Sequence, residues 1–230
     1  MSQHVLPGKP HNSLVLRRSA RARKISLRVS RLDGRVTLTL PKTLHEAEAL
    51  DFAREKETWL RHHLAERPEQ VSIGIGAQIP YLGSKRQIVT GQGRSVRLEQ
   101  DLLEVPGREE QVAARLAAFF KHSARGHLAE ACDHYATELG RKYTKLTLRD
   151  TRSRWGSCSS QGALMFSWRL VMAPRPVLDY VAAHEVAHLV EMNHSSAFWN
   201  VVQDLYGNPA GPREWLRDHG EQLHRYRFGD

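Results

Sequence analysis

Two short segments near the N-terminus, residues 25–29 (ISLRV) and 36–40 (VTLTL), alternate apolar with polar positions. That is the period of a strand buried on one face. Asp33-Gly34 supplies a turn between them and Pro41 closes the second, so the pattern predicts a β-hairpin. Residues 44–66 contain no Gly or Pro, and Leu44, Ala47, Leu50, Ala53, Leu60 and Leu64 recur near helical spacing. One long amphipathic helix is predicted there. Glycines then divide residues 71–106 into short apolar runs at 79–82, 87–90, 95–98 and 102–105, the pattern of a small antiparallel meander. The Gly-x-Gly pairs Gly74/Gly76 and Gly91/Gly93 open no helix after a strand and read as turn glycines. Residues 108–139 predict a second long helix, closed by Gly140, with Gly126 as the point where it can divide. Strands are expected at 145–149 and 163–171. After Pro174-Arg175-Pro176, residues 177–191 form a strongly apolar helical stretch. The fold class is therefore α+β. A boundary near Pro106-Gly107 would separate a β-rich region with one long helix (1–106) from a helix-rich domain (107–230).

Composition narrows the class. The 230 residues are 40% hydrophobic and 26% charged, an ordinary globular balance with enough chain for a core. No run approaches the ~20 apolar residues of a membrane span, and no secretory signal opens the chain. With two cysteines, Cys132 and Cys158, there is no disulfide framework, and a reducing cytoplasm is the expected compartment. The net charge of +9 is local: residues 1–42 hold ten basic residues and one acid, and the remainder balances. Arg17, Arg18, Arg21, Arg23, Lys24, Arg28 and Arg31 are its densest part. Such a patch can attract nucleotide, nucleic acid or acidic protein. No aromatic residue interleaves it as a base-stacking surface requires, so a solvated face is the competing reading.

The apolar helix carries His184-Glu185-Val186-Ala187-His188. Histidines four apart project from one helix face, one turn from each other, and can grip one ion. Glu185, offset by one residue, can reach a water at the ion's open position. The pattern arises by chance in about one chain in twenty of this composition. Ionisable groups on a buried helix, however, need a compensating partner, which a Zn²⁺ ion supplies. The favoured third ligand is His194, ten residues after His184, with Asn193 in a left-handed conformation reversing the chain. A carboxylate on a later helix, Glu214, is the alternative. No methionine follows His194, so a Met-turn is excluded. Three imidazoles and an open position make a catalytic rather than a closed structural site. His62 and His63 are adjacent, so they point apart on a helix and are not read as ligands.

A second motif, RDTRSRWGSCS, runs from Arg149 to Ser159. Arg152 and Arg154 can bind a carboxylate or phosphate or brace the metal helix; Trp155 reads as packing and Cys158 as a buried structural thiol. This motif, followed after about 25 residues by HEVAHLVEMNHSSAFW, resembles the YgjP-like metal-dependent hydrolases, bacterial zincins distantly similar to SprT-like proteases. The N-terminal RSARARKISLRVSRLDGRVTLTLP is similar to that family's opening strands. The resemblance implies a zincin-like catalytic domain with an HExxH active-site helix. It implies one Zn²⁺ per chain on His184, His188 and His194, and Glu185 as catalytic base. Peptidase-type hydrolysis of a peptide or protein is the leading expectation, with the substrate laid along an edge strand at 163–168. A nucleotide pyrophosphohydrolase using the same metal, with Arg152, Arg154 and the basic N-terminus holding phosphates, is the second. A nucleic-acid-binding module with a structural zinc is the third.

Overall fold

The structure is a computed structural model that describes residues 3–5, 13–30, 34–65 and 69–229. The chain forms two compact units, Met1–Glu69 and Gln70–Asp230.

In the first unit, β1 (Gln3–Val5), β2 (Ser13–Ser19), β3 (Ser26–Val29) and β4 (Val36–Pro41) form one sheet in the order β1-β2-β4-β3. The predicted hairpin strands pair antiparallel, with Ser26 opposite Thr39 and Val29 opposite Val36. Gly34 adopts φ +69° and its N–H donates to the Ser30 carbonyl at 2.7 Å. Asp33, the other half of the predicted turn, lies outside the described residues, as does Arg31 of the basic run. The hydrophobic pattern missed β2, whose Arg17 and Arg18 mask it, yet Leu14 and Leu16 are buried and the strand runs parallel to β4. The helix predicted over 44–66 is two helices, α1 (Glu46–Glu55) and α2 (Glu57–Ala65). They part at Lys56, whose φ of −93° and ψ of 12° leave the helical well without any Gly or Pro. Ala49, Ala53 and Leu60 complete a core with Leu14, Leu38 and Leu40.

The second unit begins with β5 (Val71–Ser72), β6 (Gln78–Tyr81), β7 (Ser84–Thr90), β8 (Arg97–Glu99) and β9 (Leu102–Val105). The expected antiparallel meander is corrected. The sheet order is β6-β7-β9-β8, and β9 runs parallel to β7. The exposed β8 is displaced to the edge, because β9 carries the buried Leu103 and Val105 and takes the inner place. Helix α3 (Glu109–Glu138) follows as one unbroken element through Gly126, and Gly140 closes it at φ +64°. Strands β10 (Lys145–Arg149), β11 (Gly156–Cys158) and β12 (Ala163–Ser167) make a three-stranded sheet in the order β10-β12-β11. The strand expected to run to residue 171 ends at Ser167, and a 3₁₀ turn occupies Trp168–Met172. Then come α4 (Arg175–Ala187), α5 (Ser196–Tyr206) and α6 (Ala210–His219). After the 3₁₀ turn Gly220–His224, β13 (Tyr226–Arg227) pairs parallel with β5. The boundary expected at 106–107 falls inside this unit: Ile79, Ile88, Leu103 and Val105 share one core with Val112, Leu116 and Phe120 of α3. The described residues thus build a mixed α+β fold, and none of their helices is long and apolar enough to cross a membrane.

Candidate metal centre

Pro174 caps α4, and Pro176 falls in its first turn, where a missing N–H costs nothing. Asp179 on the next turn accepts from Arg175 Nε at 2.7 Å. Val177, Leu178, Val181, Ala182 and Val186 bury the helix in the core of the second unit. The helix ends at Ala187 with His188 as its cap. The reversal that follows does not use a left-handed Asn193, which is not among the positive-φ residues. Tight bonds from Leu189 N to Val186 O (2.9 Å) and from Val190 N to Ala187 O (3.1 Å) wind the chain instead. Ser195 then caps α5, its hydroxyl accepting from Phe198 N at 3.4 Å.

These turns bring His184, His188 and His194 together, with one nitrogen of each ring within 4.8 Å of the others. His194 Nε2 faces His184 Nε2 at 3.1 Å. Two lone pairs cannot face each other at that distance without a proton or a cation between them. Zn–N bonds of 2.0–2.1 Å at tetrahedral angles set two nitrogens about 3.3 Å apart, so the spacing suits an ion. His188 Nδ1 lies 2.9 Å from the Glu191 carbonyl. A carbonyl only accepts, so Nδ1 carries the proton and Nε2 keeps its lone pair free. Burial, and then the neighbouring His188, His194 and Arg213, push His184 down to about 4; burial is also the main cause lowering His188. Both rings are therefore neutral donors at neutral pH. Phe198 walls the cluster, stacked 4.5 Å from His188 and meeting His194 edge-on at 4.7 Å.

Glu185 is 6% exposed, and burial pushes its carboxyl up to about 7, with the Arg154 guanidinium acting in the opposite sense. It lies against β11. A Cβ at Gly156 would stand 2.5 Å from both Cγ and Oε1 of Glu185, so only glycine leaves room for the carboxylate. The edge strand expected at 163–168 is corrected, because β12 is the central strand and β11 and β10 are the edges. Trp155 O accepts from Ser167 N, and Ser159 N donates to Ala163 O. By alternation, the backbone groups of Gly156 and Cys158 point away from β12.

Of the other residues singled out in the sequence, Arg152 and Arg154 are exposed. Trp155 packs its ring 5.3 Å from His224. Cys158 is half-buried and its thiol is pushed up to about 11, chiefly by burial. Glu214 is exposed, bonded to Arg217 Nη2 at 3.0 Å, and stands outside the histidine cluster. Sequence reasoning passed over Tyr180, whose hydroxyl is 3.5 Å from His184 Nδ1 and which sits four residues before it. It also passed over Arg213, whose guanidinium stacks 4.6 Å from the Trp199 ring, itself 5.9 Å from His184. Helical spacing could have found Tyr180; nothing in the sequence marks Arg213.

The family model for the YgjP-like metallopeptidase domain matches residues 23–219. The chain belongs to this family. Membership makes it a metal-dependent hydrolase of the protease type and implies a metal ion, for which the histidine cluster is a fitting donor set. Among curated proteins none matches the chain. The solved metallopeptidase zymogen of Pyrococcus abyssi abylysin aligns with 41% of this chain and 93% of its own at 19% identity. The TM-score of that alignment is 0.36.

Proposed function

We propose that the chain is a zinc peptidase of the zincin type, in which His184, His188 and His194 hold one Zn²⁺ and Glu185 is the general base. The observation that carries this reading is the convergence of three imidazole nitrogens within 4.8 Å, beside a buried carboxylate from the same helix. All-nitrogen donors suit Zn²⁺ over the oxygen-seeking Mg²⁺ and Ca²⁺. When bound, the ion supplies Lewis acidity, which polarises a scissile carbonyl and makes a water acidic near neutral pH. Glu185 accepts the proton of the attacking water and passes it to the leaving amine, a role suited to a carboxyl poised near neutrality. Gly156 leaves the space that carboxylate occupies, and the His188–Glu191 hydrogen bond fixes one ring. An extended peptide pairs with the open edge of β11, where Gly156 and Cys158 offer backbone groups beside α4.

The test pairs peptide-library cleavage with phosphate release from nucleoside triphosphates, alongside metal analysis. Wild-type protein is expected to carry one zinc per chain and to cleave peptides. Glu185→Gln is expected to keep the zinc and lose about 10²- to 10⁴-fold in turnover. Full turnover in that variant removes Glu185 as base. Nucleotide hydrolysis without peptide cleavage overturns the peptidase reading.

A further inference from the structure

A second concentration of charge lies among residues that play no part in the histidine cluster. Lys121, His122 and Arg125 of α3, with Arg149 and Asp150 at the end of β10, line a cavity of about 470 Å³ floored in part by Trp168. Lys121 and Arg125 stand one helical turn apart on a single face. Asp150 is committed first to Arg169, its two oxygens accepting from Nε at 2.7 Å and Nη2 at 3.0 Å, so its charge is matched by a cation outside the cavity lining. Among the described ion pairs, none joins Lys121, Arg125 or Arg149 to a carboxylate. The Lys121 ammonium instead stands 5.9 Å from the Trp168 ring, and Arg125 Nη1 donates to the Leu146 carbonyl at 3.3 Å. Trp168 is 2% exposed, and its indole N–H has no hydrogen-bond partner.

Like charges gathered around one concavity repel each other, and a buried donor without an acceptor costs about 1–3 kcal/mol. A multiply charged anion in the cavity relieves the repulsion. Two guanidiniums and an ammonium match a phosphate, which Arg grips bidentately and Lys neutralises as a point charge. The volume exceeds what a lone phosphate fills and lies in the range of small-molecule sites. We propose that this cavity binds the phosphate group of a small phosphorylated molecule through Lys121, Arg125 and Arg149, independently of the histidine cluster.

Calorimetric titration of the full chain with inorganic phosphate and with a nucleoside monophosphate, at constant ionic strength, tests the proposal. Saturable binding is expected, tighter for the ester if the rest of the cavity contributes and equal if only the phosphate is read. The exposed pair Lys121→Gln/Arg149→Gln is expected to weaken it about tenfold or more, with helical circular dichroism unchanged. Should that pair misfold, Lys121→Gln alone is expected to weaken binding in the same direction. His194→Ala is expected to leave the affinity where it was. Undiminished affinity in the Lys121 and Arg149 variants, its loss in His194→Ala, or a response that acetate reproduces overturns the site.

Discussion

Gly156 shows how one missing side chain shapes the candidate centre. Its φ is not in the left-handed region, so the need for glycine is purely steric: a methyl there would overlap Glu185 Oε1. Because β11 is held in register, Gly156 opposite Phe166, the carboxylate rather than the strand must give way. Gly156→Ala is therefore expected to keep the metal and lose about a hundredfold in kcat, the scale of an ångström-sized misplacement. Metal analysis beside single-substrate kinetics checks it, and an unchanged kcat would refute the packing argument. His224 makes a different kind of demand. Burial first, then the Arg169 charge, drives it down to about 4, partly offset by Asp150 and reinforced by Arg152 and Arg227. The folded ring stays neutral, while the unfolded chain takes up a proton near pH 6.5. Between pH 6.5 and 4 the unfolded state thus binds more protons, and stability falls as pH falls, by up to about 3 kcal/mol for the full shift. Urea unfolding across that window should show the decline, and His224→Asn should make it shallower, leaving the part that the buried His184 and His188 contribute in the same direction.

Helix α3 organises the second unit by an unusual stripe. Val112, Leu116, Phe120, Ala124, Leu128, Cys132 and Ala136 are buried at every fourth position. Steps of four residues drift about 40° each around a 3.6-residue helix, so the buried face winds along its length. The helix accordingly meets β9, the 3₁₀ turn at Trp168–Met172, β10 and α4. Gly126 stands inside this helix, and a Cβ built on it meets nothing within 4 Å. A sequence reader sees a breaker there; flanking turns already anchored by Ala124 and Leu128 carry the helix through. Gly126→Ala should raise unfolding stability by about 0.5–1 kcal/mol, read from the urea midpoint at unchanged m-value. A lower midpoint would mean that the helix needs its flexibility.

The histidine cluster grows on a large core and does not build it: Val177, Leu178, Val181 and Val186 bury α4 among apolar residues of the second unit. Chelation is expected to leave the far-ultraviolet dichroism intact and lower Tm by only the linkage of a lost ligand. Collapse of the helical signal would make the ion structural. The four-residue spacing of His184 and His188 and the offset of Glu185 are local features, set by helix geometry and side-chain chemistry, and so they are legible in the order of residues alone. The strands at 145–149 and 26–29 are legible for the same reason, since alternation is local. Distant choices are not. Which strand of the β10-β12-β11 sheet stays open, that Gly156 rather than the arginines of its motif touches Glu185, that Arg213 reaches Trp199, and that β9 slips between β7 and β8 all depend on contacts between segments far apart in the chain. Those contacts are decided by which combination of apolar faces buries best together, a property of the packed molecule that no local pattern encodes.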